Sequence, residues 1–376
     1  MSDAPRDEAD VAEAVRAAAA RGTPLEIRGG GTRGLGHAVT GAPLSLAGLS
    51  GITLYEPGAL TLVARAGTPL AEVEAALAAE GQRLAFEPWD ARAVSGLSGA
   101  PTVGGMVAVN ASGPRRVQAG ACRDSLIGVR FVDGTGAVVR NGGRVMKNVT
   151  GLDLVKLMAG SHGTLGVLTE VAFKVLPAPE RVATLVFDGL APEAAGALLR
   201  AALATPYDVS GAAHAGGRTL VRVEGFAGSV AHRARALARV LAPFGAARTD
   251  ETVDWREVRD ARAFSGRPGA VWRISVKPTD GPVLGARLGA AEVLCDWGGG
   301  LLWVLAPEDL DIRAAMGGIP GHATLIRAGA EAKARFGVFH REPAPLAAIA
   351  ARLRARFDPK GILNPGRMAA PATVPA

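Results

Sequence analysis

The chain predicts an α+β protein built in two unequal parts, and three features carry that expectation. Its 376 residues include 50 glycines, nearly twice the usual ~7% share, and many gather in the first 177 positions between short apolar runs. From about 180 to 340, β-rich runs alternate with Ala-rich helical ones, a pattern suited to helices laid on one face of an antiparallel sheet. Pro177-Ala-Pro179 separates the two regimes. The expected boundaries are 1–177, 178–345 and a C-terminal segment, 346–376.

The elements follow in order. Residues 7–20 carry Val11 and Val15 on one face and stop at Gly22, so a helix is expected there. Leu25-Glu26-Ile27-Arg28 reads as a short strand and Ala59–Ala66 as another. Thr68 is the expected cap of a helix opening at Pro69, with Leu70, Val73 and Leu77 at helical spacing and Gly81 closing it. Asp133-Gly134 predicts a hairpin, 151–159 a helix ended by Gly160, and Val167–Leu176 a strand cut by the prolines. Strands at Val182–Phe187, Leu220–Phe226, Leu301–Leu305 and Ala323–Ala328 are expected with helices at 192–204 and 229–242. In the last helix, Leu346–Phe357, the residues Leu346, Ile349, Leu353 and Phe357 oppose Arg352, Arg354 and Arg356. Such a stripe fits a membrane surface or the chain's own body, and docking on its own body is the favoured reading.

Composition excludes several classes. With 48% hydrophobic and 20% charged residues and no three-residue glycine period, the chain is neither disordered nor collagen-like. No uncharged apolar run approaches the ~18 residues of a membrane span. The acidic start, MSDAPRDEADVAEAVR, is unlike a signal peptide, so a cytoplasmic location is expected. Cys122 and Cys295 stand far apart, which rules out a disulfide framework and any zinc site or iron–sulfur cluster built on this chain's cysteines. The net charge of +7 is mostly arginine and scattered, its densest stretches being Arg115-Arg116 and the three arginines of the last helix. That argues against nucleic acid as a partner and suits an anionic ligand. His37, His162, His214, His232, His322 and His340 fall in no metal-ligand spacing, so no metal is expected.

Three glycine loops remain. Gly29-Gly30-Gly31-Thr32-Arg33-Gly34 satisfies GxGxxG after a strand, but Leu35-Gly36-His37-Ala38-Val39-Thr40-Gly41-Ala42-Pro43 has no helical periodicity, and a Rossmann site needs a helix opening directly after the loop. Pro101–Gly113 and Gly160–Val167 are two more loops of small and hydroxyl residues. Backbone N–H groups in such loops can approach phosphate or ring oxygens closely, so three of them suggest one large ligand lying along the backbone.

Arg28-Gly-Gly-Gly-Thr32, Ala66-Gly-Thr-Pro-Leu70, Thr102-Val-Gly-Gly105, Asn110-Ala-Ser-Gly113 and Gly160-Ser-His-Gly-Thr-Leu-Gly-Val167 occur in that order. Together they resemble the flavin-binding domain of the vanillyl-alcohol oxidase/p-cresol methylhydroxylase family. Phe357-Asp-Pro-Lys-Gly-Ile-Leu-Asn-Pro-Gly366 resembles the C-terminal signature of its 2-hydroxyacid dehydrogenase branch. Gly321-His-Ala-Thr-Leu-Ile-Arg327 and Asp296-Trp-Gly-Gly-Gly300 narrow the resemblance to smaller FAD-binding subunits of bacterial glycolate oxidases.

The resemblance implies a two-lobed FAD-binding domain of the vanillyl-alcohol oxidase type over 1–177, a smaller α+β cap domain, and a C-terminal segment returning to the FAD domain. Gly29, Gly30, Gly31 and Thr32 would wrap the FAD pyrophosphate. Thr102, Gly104, Gly105, Ser112 and Gly113 would continue along phosphates and flavin. Gly120 and Asp124 would add contacts, although Ala119 replaces the usual Tyr, and Gly163, Gly166 and Val167 would complete the set. Covalently flavinylated relatives carry His where this chain has Thr32, which implies non-covalent FAD. The implied partners are a larger FAD-binding subunit and an iron–sulfur subunit that takes the electrons, with peripheral attachment at the inner membrane through them. The implied substrate is a small 2-hydroxyacid such as glycolate.

Oxidising a 2-hydroxyacid needs a cation for its carboxylate, preferably Arg, and a base for its hydroxyl proton, most often His. His322, Arg327 and Arg273 are the candidates. Five residues apart, His322 and Arg327 point to opposite faces of a regular strand, so only a bulge or the strand's start would unite them. A surface or core histidine, and salt-bridging arginines, are the bland alternatives. The full-size catalytic relatives carry a Glu-His-Gly segment and paired metal-holding histidines, and this sequence has neither. Two other readings therefore stay open: a flavin-carrying structural or relay subunit with no substrate oxidation of its own, and a self-sufficient oxidase.

Overall fold

The computed structural model describes residues 5–143 and 151–368. The helix Glu8–Arg21 is capped by the Asp7 carboxylate, which accepts the Asp10 N–H at 2.9 Å, and it ends at Gly22 in the left-handed region. Strands β1 (Leu25–Arg28) and β2 (Ala42–Ser45) form a parallel pair. The next strands are β3 (Ile52–Glu56), β4 (Thr61–Arg65), β5 (Gln82–Arg83), β6 (Leu126–Val132), β7 (Val138–Gly142), β8 (Val167–Lys174) and β9 (Leu176–Pro177). A five-stranded antiparallel sheet takes the order β3-β4-β8-β6-β7, and β5 pairs with β9.

Thr68 does not cap the helix Leu70–Ala79. Its hydroxyl bonds the Arg65 carbonyl at 2.7 Å and accepts the Gly51 N–H at 2.9 Å, fixing the turn after β4, while Pro69 stands at the cap position. Pro101–Gly113 is likewise not wholly a loop, because Thr102 caps a short helix, Val103–Ala108.

The remaining strands, β10 (Arg181–Asp188), β11 (Gly211–Ala215), β12 (Arg218–Gly225), β13 (Arg248–Asp250), β14 (Ala270–Val276), β15 (Glu292–Asp296), β16 (Leu301–Ala306) and β17 (Gly321–Arg327), make one eight-stranded sheet. Its order, β13-β10-β12-β11-β15-β16-β14-β17, resolves into two halves of the same plan. Each runs strand, helix, strand, strand, helix, strand, with its own strands in the order 4-1-3-2, the ferredoxin-like arrangement. The halves join through β11 and β15 at the single pair His214 and Cys295.

Alternation along these strands divides the core. Leu185, Val221, Val223, Trp272, Ile274, Leu302 and Val304 pack under the helices on one face. Leu220, Val271, Trp303, Leu305 and Ile326 point the other way and join Phe86, Trp89 and Val103 of the glycine-rich part. That second face also carries charge. Glu224 of β12 meets Arg83 at 2.9 Å and Arg115 at 3.1 Å, and Arg222 of β12 meets Glu87 at 2.8 and 2.9 Å. Burial alone would raise the Glu224 pKa, but the Arg115 and Arg222 charges hold it at about 2.

The C-terminal chain returns to the first part. Leu353 and Phe357 of the helix Ala344–Phe357 pack on the core, whereas Leu346 and Ile349 stay exposed, so half of the apolar stripe docks. Buried Asp358 accepts the N–H groups of Ile362 and Leu363, and the Leu25 N–H donates to the Ile362 carbonyl at 2.7 Å. Residues 369–376 of the expected last segment lie outside the described residues.

Candidate functional site

Between β1 and β2 the chain leaves the sheet and forms one wall of a groove of about 400 Å³. The wall is Gly29 through Leu35, faced by Thr102, Gly105, Ala108, Val109, His162, Asn364 and Arg367. No backbone N–H from Gly29 through Gly36 donates to another described residue. Eight consecutive unused donors along a concave wall are the backbone equivalent of a positive charge. Side chains add to it: buried Arg33 Nη2 and Arg367 Nε both lack a partner, and burial lowers the Arg33 pKa to about 10.

Close packing explains the glycines. A Cβ on Gly30 would stand 1.6 Å from the Ala100 carbonyl oxygen, and Gly31 has φ +68°. Gly30→Ala is therefore expected to add about 1–3 kcal/mol of local strain, which the urea denaturation midpoint measures.

Of the residues expected at the cofactor, Gly29, Gly30, Gly31, Thr32, Thr102 and Gly105 line this groove. The other eight do not, and each has a packing task in the protein. Gly104 donates to the Ala66 carbonyl at 2.8 Å, and Gly113 lies so close to the Glu87 carbonyl that a Cβ would sit 2.3 Å from it. The Ser112 hydroxyl accepts the Cys122 N–H at 2.9 Å. Asp124 accepts the Ala121 N–H at 2.8 Å and leaves no room for a Cβ on Gly120. Gly163 and Gly166 make room for Asn364 and the Phe131 ring, and Val167 is fully buried in β8. Sequence reasoning missed Arg33, His162, Asn364 and Arg367. Asn364 lies in the quoted C-terminal signature, and its task is visible only in three dimensions: its amide accepts the Ile27 N–H and donates to the His162 carbonyl, both at 2.9 Å. His162 has φ +52°, and burial, then the Arg367 charge, lowers its pKa to about 4.

A ladder of guanidinium and indole groups runs from this groove to the eight-stranded sheet. Arg33 lies 5.6 Å from the Trp89 ring centre, Trp89 meets Trp303 edge-on at 5.2 Å, and Arg273 stands 5.7 Å from Trp303 and 4.9 Å from Trp297. Trp297 donates its indole N–H to the Gly113 carbonyl at 3.0 Å, which ties the sheet to the second glycine segment.

Arg273 of β14 pairs with Thr324, and Ser275 with His322, so Arg273 and His322 are diagonal neighbours on one face. Arg273 lies deep, its Nε has no partner, and burial followed by the Arg116 charge lowers its pKa to about 10. The nearby buried Asp296 spends one oxygen on the Trp297 N–H, and burial raises its pKa to about 7. Desolvation, then Arg273, His340 and Arg116, lowers the pKa of His322, so its imidazole is neutral at pH 7.

Arg327 is a correction. The bulge that the spacing required is present, with Ile326 as the extra residue opposite Val271 and Trp272. Yet the Arg327 guanidinium is spent on the carbonyls of Val94 (2.9 Å), Phe264 (3.1 Å), Arg267 (2.6 Å) and Gly269 (3.4 Å). It clamps loops instead of facing Arg273 and His322. Among the described residues, no cluster of His, Cys, Asp and Glu could hold a metal ion.

Residues 3–142 match an FAD binding domain family. Over 361 residues the chain is 38% identical to the glycolate oxidase subunit GlcE of Escherichia coli K12, covering 95% of each chain. The chain belongs to the GlcE family. It is an FAD-dependent oxidoreductase. An 85-residue stretch, 23% of the chain and 18% of the relative, is 42% identical to glycolate oxidase subunit GlcD of Bacillus subtilis 168. Among solved structures, an alkyldihydroxyacetonephosphate synthase superposes with a TM-score of 0.69 at 16% identity, over 96% of this chain and 76% of that one. This GlcE-family chain therefore has the fold of the vanillyl-alcohol oxidase-type flavoproteins.

The groove fits the family's cofactor. A pyrophosphate needs many short-range donors and little side-chain bulk, and the free N–H groups from Gly29 to Gly36 with the unpartnered Arg33 and Arg367 nitrogens supply both. His162, neutral and half-buried, closes the wall without competing for the negative charge.

Proposed function

We propose that the chain oxidises glycolate to glyoxylate as the FAD-binding subunit of a glycolate oxidase complex. The observation that carries this reading is Arg273: a deeply placed guanidinium that makes no ion pair or hydrogen bond with a described residue, joined to the glycine-walled groove by the indole ladder and diagonal to a neutral histidine. Gly29 to Thr32, Thr102, Gly105 and Arg367 would hold the phosphates, non-covalently, since Thr32 stands where covalently linked relatives carry His. FAD, when bound, supplies the two-electron acceptor for the hydride on the hydroxyl-bearing carbon.

The chain's own residues do the rest. Arg273 forks onto the substrate carboxylate and orients it. His322, neutral, accepts the hydroxyl proton at its imidazole nitrogen as the hydride departs. Trp297 and Trp303 keep bulk water from the Arg273 side and strengthen that charge contact. We further infer that the electrons leave through a larger FAD-binding subunit and an iron–sulfur subunit, because the chain's only two cysteines cannot hold a cluster. No helix among the described residues is long and apolar enough to cross a membrane, and attachment at the inner membrane would run through those partners.

One observation favours the relay reading. The His322 ring makes no hydrogen bond that would orient it as a base. The discriminating experiment takes spectra of the purified holo-chain, before and after acid precipitation and after anaerobic glycolate. Flavin released by acid and bleached by glycolate supports oxidation by this subunit with non-covalent FAD. A flavin band that ignores glycolate supports the relay.

A further inference from the structure

Trp297 carries a second cation. Arg116 opens the short helix Arg116–Ala119, directly after the second glycine segment, and its guanidinium carbon lies 4.5 Å from the Trp297 ring centre. Arg273 reaches the same ring from β14 of the eight-stranded sheet, at 4.9 Å. Neither guanidinium makes a hydrogen bond or an ion pair with a described residue. This is unusual within the same molecule: Arg83, Arg115 and Arg222, nearby on the same interface, are all matched by Glu87 and Glu224.

Two like charges sharing one indole, with no anion between them, are costly in a partly desolvated space. Each depends on cation–π attraction of only about 0.5–2 kcal/mol. The groups facing them do not repair this. Asp124 and Arg123 face Arg116 from the neighbouring helix, Asp296 and His322 face Arg273, and His340 stands behind His322. Asp296 is deeply buried and bonded to the Trp297 N–H, while Asp124 is bonded to the Ala121 N–H.

We propose that Arg116 and Arg273 form one two-cation site for the carboxylate of a small 2-hydroxyacid, with the anion held at Trp297 between the glycine-rich part and the eight-stranded sheet. The proposal rests on the substrate reading above and adds to it a residue from the opposite body. A monocarboxylate can accept from both arginines at once, since its oxygens offer about four lone-pair directions. The site is complete only while the two bodies are docked, so carboxylate binding and docking stabilise one another by linkage.

The test is titration of the FAD-loaded chain with acetate, which has the carboxylate but no hydroxyl to oxidise, and with acetamide as its neutral counterpart. Tryptophan fluorescence and calorimetry report binding, and flavin absorbance confirms that each variant is loaded. Acetate is expected to bind and acetamide not to bind. Arg116→Gln and Arg273→Gln are each expected to weaken acetate at least tenfold, with the double variant little worse than either because both act on one anion. Arg116→Lys, a gentler change that keeps the charge but loses the fork, should fall in between. Acetate binding unchanged in both Arg116 variants but lost in Arg273→Gln would overturn the two-cation site and leave the Arg273 reading standing. Binding unchanged in all the variants would overturn both. If Arg116→Gln fails to load FAD, Arg116→Lys decides, and wild-type affinity there counts against the proposal.

Discussion

Glu224→Gln is expected to destabilise the protein by about 3–5 kcal/mol, the usual cost of removing one partner from a buried ion pair. Glu224 is 6% exposed and takes charge-assisted bonds from Arg83 and Arg115, which come from the other body. Without it, Arg83 loses its carboxylate, and Glu87 alone is left to answer Arg115 and Arg222. The pH dependence has a definite sign. The folded pKa of Glu224, about 2, lies below its ordinary 4.5, so the stability it contributes is complete above about pH 4.5 and is lost as pH falls toward 2. Urea denaturation should show a midpoint insensitive to this residue's titration between pH 7 and 5 and declining below. In Glu224→Gln the midpoint should be lower at neutral pH and the acid decline shallower. An unchanged midpoint at pH 7 would mean that the Glu224 ion pairs contribute nothing to holding the two bodies together.

Much of the fold was legible because its signals are local. Gly22 and the period of Leu70, Val73 and Leu77 act within a few residues of themselves, and the elements they imply are present. Thr68 misled because its hydroxyl oxygen accepts the Gly51 N–H instead of one from the helix end, while its proton goes to the Arg65 carbonyl. The doubled strand-and-helix plan of the large sheet escaped notice because only topology repeats, not residues.

The groove was half legible for the same reason. A glycine run announces close approach, but not whether a ligand or the protein itself comes close. Gly29 to Gly31 line the groove, but Gly29 and Gly30 are also pressed by Thr102 and the Ala100 carbonyl, while Gly104, Gly113 and Gly166 meet only protein, at Ala66, Glu87 and Phe131. Arg327 failed where spacing alone was used. The bulge places it on the expected face, but four carbonyls claim its donors. Arg116 carried no signal at all beyond its pairing with Arg115, because what distinguishes it is the lack of an ion pair in space.

His322→Gln is expected to lower kcat by about 10²–10⁴-fold, the range for removing a general base, with flavin content unchanged because His322 lies outside the groove proposed for FAD. A base must be neutral to accept a proton. Burial, followed by the charges of Arg273, His340 and Arg116, keeps the His322 pKa below its ordinary 6.5. The rate kcat/KM should therefore rise with pH on a limb that lies below 6.5 and be level by pH 7. Arg273→Gln removes one of the charges that depress that pKa, so the limb should move upward even where the remaining activity is small. In His322→Gln the limb should disappear. A limb that persists near pH 7 in that variant would point instead to Asp296, the one buried carboxyl whose pKa of about 7 would place it there. The two outcomes separate cleanly: a base on β17 titrates below 6.5 and responds to Arg273 by rising, whereas removing Arg273 withdraws an attractive charge from Asp296 and also raises it, but from a limb already near 7.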